Sequence, residues 1–120
     1  MDLRFALLEH RTSEGVHWDL LLEVPGQARL ATWRLEANPC ATIGPIRCER
    51  IADHRRVYLE YQGPISGGRG DVKRVDGGAA TWLTPPEQQT AFELRGGRLR
   101  GRYRIRRGEA GLELVCESGS

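Results

Sequence analysis

The sequence predicts an all-β protein, a small closed or partly open antiparallel β-barrel with short loops and little helix. Apolar and polar residues alternate with period two along most of the chain, and no long stretch repeats with the 3.6-residue period of a helix. Turn-forming pairs such as Pro25-Gly26 and Gly63-Pro64 separate the alternating segments. Because a meander of many short strands exposes unpaired edges unless it closes on itself, we expect a barrel.

The alternating segments predict ten short strands. Glycine, proline or charged residues bound each of them, and the pair Gly77-Gly78 predicts a turn between the sixth and the seventh. The TPPEQQT segment is expected to be a loop or one helical turn. The predicted strands cover residues 4–9, 17–24, 31–35, 47–51, 57–61, 71–75, 79–83, 91–94, 98–106 and 112–115.

Length and composition predict a single domain over residues 1–116, followed by a flexible tail over 117–120. The chain has 120 residues, of which 39% are hydrophobic and 28% are charged, enough apolar mass for a modest core. Its longest apolar run is far below the roughly 20 residues that span a bilayer, and its beginning lacks the apolar stretch of a signal peptide. Three cysteines without a C-x-x-C spacing indicate neither a disulfide framework nor a zinc ribbon. We therefore expect a cytoplasmic protein with no membrane partner.

Charge is segregated along the chain, although the net charge is only +2. Residues 95–107 contain seven arginines and no acidic residue, whereas the rest of the chain has 11 basic and 16 acidic side chains. Alternate strand residues lie about 6.6 Å apart, close to the phosphate repeat of a nucleic-acid strand, so a row of arginines can bind one. The alternative is cross-strand pairing with Glu109, Glu113 and Glu117. This predicted nucleic-acid-binding row, the arginine stripe, comprises Arg98, Arg100, Arg102, Arg104 and Arg106.

Two histidines and an aspartate are predicted to converge on the first hairpin. His10 ends the first strand, His17 begins the second, and Asp19 shares the face of His17 because alternate strand residues point the same way. Imidazole and carboxylate ligands suit manganese, iron or zinc, and three protein ligands leave coordination positions open. The spacing therefore predicts a metal site, unless these side chains make only local hydrogen bonds.

The remaining histidine, His54, forms a second candidate site with Tyr58. The two side chains share a face if the strand includes both, and an imidazole beside a phenol can contact a phosphoryl group. The alternative is that Tyr58 is an ordinary core aromatic. The glycine-rich run over 63–70 carries Arg69, and its backbone can approach a phosphate. Such a run is more often only a turn.

These motifs occur in an order that resembles a known family. RFALLEH is followed by HWDLLLE, WRL, DHRRVYLEYQGPI, VKRVDGG and LRGRYRIRR, and over residues 4–107 this series resembles the 3′-phosphoesterase domain of bacterial DNA ligase D. The resemblance implies a small β-barrel that processes 3′ ends of DNA and uses manganese. It also implies His10, His17 and Asp19 as metal ligands, with His54 and Tyr58 on the phosphate side.

At one position of the implied site, the chain departs from the family. Where the family has H-Y-D-F-R-L-E, this sequence has Leu21 in place of the arginine that faces the scissile phosphate. Because Leu21 shares the face of His17 and Asp19, we expect the loss to fall inside the site. Arg69 or Arg34 would then supply the phosphate-binding charge.

Three functions remain open from the sequence. The first is a metal-dependent phosphoesterase that removes a 3′-phosphate or a 3′-terminal ribonucleotide from DNA in repair or end joining, with Mn²⁺, or else Zn²⁺ or another divalent transition metal. The second is a catalytically weakened module of the same fold that binds DNA ends. The third is a hydrolase of a small phosphoester. Ligase or polymerase partners would be separate chains, since 120 residues do not hold a nucleotidyltransferase domain.

Overall fold

The computed structural model consists of nine described β-strands, whose pairings are all antiparallel. A one-turn 3₁₀ helix is the only helix among the described elements. The structure describes residues 3–85 and 87–119. The elements are β1 (Leu3–Thr12), β2 (Gly15–Leu22), β3 (Arg29–Leu35), β4 (Ile46–Arg55), the 3₁₀ helix (Arg56–Leu59), β5 (Gly63–Pro64), β6 (Asp71–Trp82), β7 (Ala91–Gly96), β8 (Arg100–Gly108) and β9 (Gly111–Gly119).

Eight of these strands close into a barrel, which confirms the predicted fold class. Neighbours follow the order β1, β2, β3, β4, β9, β8, β7 and β6, and the pairing of β6 with β1 closes the ring. Strand β5 pairs only with the first two residues of β6. Closure pairs the strand edges that a short meander would otherwise expose to solvent. None of the helices in the described part of the chain is long and apolar enough to cross a membrane.

Inward-facing side chains from all eight strands fill the barrel. Fully burying an apolar side chain of this size contributes about 1.5–3 kcal/mol, so this cluster is the main source of stability. Its largest members alternate with outward-facing residues, as the period of a strand requires. The interior cluster includes Phe5, Leu7, Leu20, Leu22, Trp33, Leu35, Ile46, Ala80, Phe92, Leu94, Ile105 and Leu114.

A second apolar cluster covers the outer face of β1, β2, β3 and β6. The 3₁₀ helix lies against it and contributes Leu59. Two contacts hold this helix in place: Arg56 donates to the Glu23 carboxylate, and Arg74 Nε donates to the Leu59 carbonyl at 2.9 Å. The helix therefore closes one side of the surface beside which the candidate site lies. The outer cluster comprises Ala6, Leu8, Leu21, Leu30, Leu59 and Val72.

The strand predicted over 57–61 is wrong, since the chain there forms the 3₁₀ helix. A strand would bury residues 57, 59 and 61 alike, but Leu59 is buried while Val57 is 55% exposed. The backbone instead turns, and Glu60 N donates to the Val57 carbonyl. Consequently His54, in β4, and Tyr58, in the helix, do not share one strand.

The turn predicted at Gly77-Gly78 is also wrong, because β6 runs through it without a break. A Cβ at Gly77 would lie 1.9 Å from Arg74 Nη2, and one at Gly78 would lie 2.4 Å from the Arg95 carbonyl oxygen. These glycines allow neighbouring groups to pack closely against a continuous strand, and glycine within a strand often marks such a close approach and not a turn.

The last strand extends further than the sequence indicates. Strand β9 continues to Gly119 and so includes residues 117–119, which are predicted from the sequence to be a flexible tail. Arg104 Nε donates to Glu117 Oε2 at 3.1 Å within this extension. Residue 120 of the expected tail lies outside the described residues.

Candidate metal and phosphate site

The first hairpin brings two histidines and an aspartate together. His10 and His17 are direct cross-strand partners between β1 and β2. His10 Nδ1 and His17 Nε2 are 2.8 Å apart. Asp19 Oδ2 lies 3.8 Å from His10 Nδ1. One ligand atom from each of the three residues lies within 4.8 Å of the other two. The hairpin therefore places the three residues as their strand parity predicts.

Hydrogen bonds to neighbouring groups orient these ligand atoms. His10 Nε2 donates to the Arg69 carbonyl at 2.8 Å, so in the neutral ring the lone pair is on Nδ1. Arg34 Nε donates to Asp19 Oδ1 at 3.2 Å, which leaves Oδ2 toward the histidines. Such outer contacts set the tautomer and orientation of metal ligands in proteins.

The donor set fits a divalent transition cation. Without a cation, the short distance between the His10 and His17 nitrogens requires a proton between them, donated by His17 Nε2. Two nitrogens that each lie about 2.1 Å from one cation, with a right angle between the two bonds, are about 3 Å apart. A cation can therefore replace this proton with little movement of the two imidazole rings. Two imidazoles and one carboxylate also match the ligands of manganese, iron and zinc.

Burial and charge favour the neutral imidazole that a metal requires. Asp19 is 2% exposed and His10 is 9% exposed. Burial, assisted by the positive charge of Arg34, lowers the pKa of His17 below its ordinary value of 6.5. Because the ligand form of histidine is unprotonated, this shift keeps His17 available at neutral pH.

The three residues line a cavity of about 910 Å³ that also contains the second candidate pair. His54 Nδ1 donates to the Ala52 carbonyl at 2.9 Å, which leaves Nε2 to exchange a proton with a ligand. The rings of His54 and Tyr58 meet edge to face with centroids 5.5 Å apart. Although one strand does not carry both residues, the bend at the start of the 3₁₀ helix brings them together.

The glycine-rich loop forms another wall of the cavity and contributes Arg69. The Arg69 guanidinium donates to the Ser66 carbonyl at 2.8 Å. Gly70 has φ +84°, and a Cβ there would lie 1.9 Å from the Arg11 carbonyl oxygen. Only glycine therefore allows the loop to pack against β1 closely enough for the Arg69 carbonyl to reach His10.

Leu21 lies under the 3₁₀ helix and not in the cavity, which corrects the expectation drawn from its parity. It shares a strand face with His17 and Asp19, but it is 0% exposed and packs in the outer cluster with Leu8 and Leu59. Strand alternation puts Leu21 and Asp19 on the same face, but the 3₁₀ helix covers Leu21 and leaves Asp19 in the cavity lining. The replacement at position 21 is therefore accommodated by apolar packing.

The arginine stripe lies away from the cavity. Its five residues are exposed, but β8 is separated from β1 by β7 and β6. Arg104 pairs with Glu117 at 3.1 Å, and Arg106 pairs with Glu113 at 3.3 Å, so the cross-strand alternative holds for part of the stripe. Within residues 3–85 and 87–119, no carboxylate pairs with Arg98, Arg100 or Arg102.

Two arginines that are not among the predicted site residues also line the cavity, namely Arg29 and Arg55. Arg29 begins β3 and lies directly opposite Arg55 at the end of β4. The position of Arg55 directly after the aspartate and histidine of ADHRR is a signal that could have identified it. No comparable signal marks Arg29, because its proximity to Arg55 follows from strand pairing alone.

One family of known proteins matches most of the chain. No curated protein matches the chain. The family model described as the DNA Ligase D 3'-phosphoesterase domain matches residues 8–107, which include the candidate site residues from His10 to Arg69. The protein is a member of the DNA ligase D 3′-phosphoesterase domain family.

Proposed function

We propose that this protein is a metal-dependent phosphoesterase that acts on 3′ ends of DNA, removing a 3′-phosphate or a terminal ribonucleotide. The observation that carries the proposal is that His10, His17 and Asp19 lie within ligand distance of one another in the same cavity as His54 and Tyr58. Manganese is the proposed cation, with zinc or another divalent transition metal as the alternative. Bound there, it would supply Lewis-acid stabilisation of charge on the phosphoryl oxygens.

Other side chains of the cavity have proposed roles in proton transfer and in binding the phosphate. Water attacks phosphorus and loses a proton to solvent as one phosphorus–oxygen bond breaks, and the leaving oxygen takes a proton. The leaving oxygen is the 3′ oxygen of the DNA when a 3′-phosphate is removed, and the 5′ oxygen of the terminal nucleoside when a terminal ribonucleoside is released and a 3′-phosphate remains. His54 in its protonated form is the proposed donor through Nε2, because its Nδ1 is held by the Ala52 carbonyl. Tyr58 orients the phosphate, and Arg69 and Arg34 add positive charge at the cavity wall.

A DNA-end-binding module with weakened turnover is the second candidate, and the engagement of Arg34 favours it. Arg34, which could replace a missing guanidinium, already donates to Asp19. A phosphate that lacks one charge-assisted partner loses about 1.5–3 kcal/mol of stabilisation. If felt in the transition state, this lowers turnover by roughly tenfold to a hundredfold without abolishing it.

A labelled primer-template that carries either a 3′-phosphate or a 3′-terminal ribonucleotide tests the proposal. We expect release of phosphate or nucleoside that requires manganese and is lost in Asp19→Asn. The matched control is Asp71→Asn, an exposed carboxylate on β6 outside the cavity lining. DNA-end binding without manganese-dependent release from either substrate would contradict the enzyme and support the binding module.

A further inference from the structure

Two exposed arginines of the cavity lining, Arg29 and Arg55, occupy paired positions on neighbouring strands. They are direct cross-strand partners, and residues in this relation have Cβ atoms about 5 Å apart. Like charges in this position destabilise a sheet unless something of opposite charge lies between them. Among the described residues, neither guanidinium forms an ion pair with a carboxylate. Within residues 3–85 and 87–119, no carboxylate therefore compensates this pair.

The other arginines of the cavity are already engaged. Arg34 donates to Asp19, and Arg69 donates to Ser66. A further acidic residue of the lining, Asp53, accepts from Arg50. Two of the three acidic residues of the lining, Asp19 and Asp53, are thus paired with arginines other than Arg29 and Arg55. The third, Glu14, forms no ion pair with Arg29 or Arg55.

One contact directs this pair toward the candidate catalytic residues. The Arg55 guanidinium lies over the Tyr58 ring at 5.9 Å from its centroid, and the Tyr58 ring meets His54 edge to face. The cavity thus has a metal-ligand side, formed by β1 and β2, and a cationic side, formed by the adjoining ends of β3 and β4. A ligand between them would contact both.

We propose that Arg29 and Arg55 form a clamp that binds the phosphate of a 3′-phosphomonoester. A phosphomonoester carries a charge of about −1.5 to −2 at pH 7, whereas a diester carries a single charge, so two guanidinium groups match the monoester. Guanidinium also donates to phosphate in a bidentate manner. The inference rests on the proposed function and narrows its substrate to 3′-phosphate ends.

Calorimetry on the metal-free protein in excess chelator tests the clamp directly. Methyl phosphate and dimethyl phosphate serve as the monoester and diester probes. We expect the parent to prefer methyl phosphate by about tenfold, and Arg29→Gln and Arg55→Gln each to weaken its binding by about tenfold or more. The matched control is Arg107→Gln, which removes an exposed arginine of β8 outside the cavity lining.

A melting experiment distinguishes the clamp from a structural role. Without phosphate, Arg29→Gln should not lower the melting temperature, because it removes a like-charge contact. With methyl phosphate, the parent should be stabilised and Arg29→Gln should not.

The clamp is overturned if the parent binds no methyl phosphate, if both probes bind equally, or if neither clamp variant weakens binding. A lower melting temperature of Arg29→Gln without phosphate would also overturn it. Because these assays contain neither metal nor turnover, their failure leaves the proposed phosphoesterase activity to the primer-template assay. Failure of that assay, conversely, leaves phosphate binding intact.

Discussion

Both the cavity beside β1 and β2 and the arginine stripe along β8 and the bend before it concentrate positive charge. They differ in shape and in the groups with which their arginines pair. Four members of the stripe form an exposed row on β8, and Arg98 lies in the bend before that strand. Two members pair with Glu113 and Glu117 of the next strand. The cavity collects side chains from four separate stretches of the chain, within residues 8–19, 29–34, 52–58 and 65–72, around the buried Asp19 carboxylate.

This difference shows why a charge pattern along one strand is weaker evidence for a catalytic site than a convergence of distant elements. An alternating strand exposes its polar residues to solvent whatever their function. A concave site instead requires a cover, and here the 3₁₀ helix and the glycine-rich loop supply it. We therefore assign the chemistry to the cavity and, at most, contacts with flanking DNA to the stripe.

The largest expected effect tests the cover of the cavity. Leu21→Arg would bury a charge without a partner in the outer cluster, so we expect it to destabilise the protein by more than about 3 kcal/mol. Urea unfolding measures the change. Leu83→Arg is the control, because Leu83 is 48% exposed, and its effect should stay within about 0.5 kcal/mol. A stable Leu21→Arg protein with faster turnover would instead place position 21 within reach of substrate.

Metal binding is the proposed property that most distinguishes the cavity from the stripe, and removal of one ligand should abolish it. His17→Ala is expected to weaken manganese affinity by more than about 100-fold, because loss of an outer-shell contact alone costs about 10–100-fold. Calorimetric titration measures it. His54→Ala, which removes a cavity histidine outside the ligand group, should keep the affinity of the parent. Equal affinities of His17→Ala and the parent would refute the ligand assignment.

The glycine-rich loop should matter through one close contact. A Cβ at position 70 would collide with the Arg11 carbonyl, so Gly70→Ala should displace the Arg69 carbonyl from His10. We expect manganese affinity to fall about 10–100-fold. Gly68→Ala is matched to it, since Gly68 also has positive φ but has open space around its Cβ position. If the two variants bind manganese alike, the close contact does not position His10.

The stripe can be tested through the salt dependence of DNA binding. If Arg100 and Arg102 contact flanking phosphates, replacing both by glutamine should reduce the slope of log affinity against log salt by about 2, at about 0.9 per contact. Replacing Arg104 and Arg106, which pair with glutamates, should reduce it less. A slope unchanged in the first double variant would assign the stripe a structural role.

The smallest effect concerns the inner face of the same strand. Burial raises the pKa of Tyr103, on β8, to about 12 from its ordinary value of 10.0. The folded protein therefore holds the phenol proton more tightly than the unfolded chain. This contribution to stability is complete below pH 10.0 and is lost as the pH rises toward about 12. Urea unfolding across this pH range should show that the free energy of unfolding falls less for Tyr103→Phe than for the parent. An equal fall in the two proteins would contradict the raised pKa of Tyr103.

Much of the architecture could be predicted from strand alternation. Parity alone places Leu20 and Leu22 inside the barrel and His17 and Asp19 outside it. The hairpin then sets His10 opposite His17, because the two strands are joined by a short turn. These relations are local, so a period of two is sufficient to derive them.

Other features depended on contacts between residues far apart in the chain. Alternation assigns Leu21 and Asp19 to one face, but only the packing of the 3₁₀ helix decides that Leu21 is covered while Asp19 lines the cavity. The strand predicted over 57–61 failed for the same reason, since the contact of Leu59 with the outer cluster is not encoded in its neighbours.

The sequence by itself determined the barrel class, the faces of its strands and the histidine pair of the first hairpin, because each follows from the local period of a strand. Only the tertiary structure decided that Arg34 holds Asp19, that the Arg69 carbonyl holds His10, and that Arg29 faces Arg55. The physical reason is that barrel closure and the outer cover are set by the burial of side chains from distant segments. That burial has no signature in the spacing of any single strand.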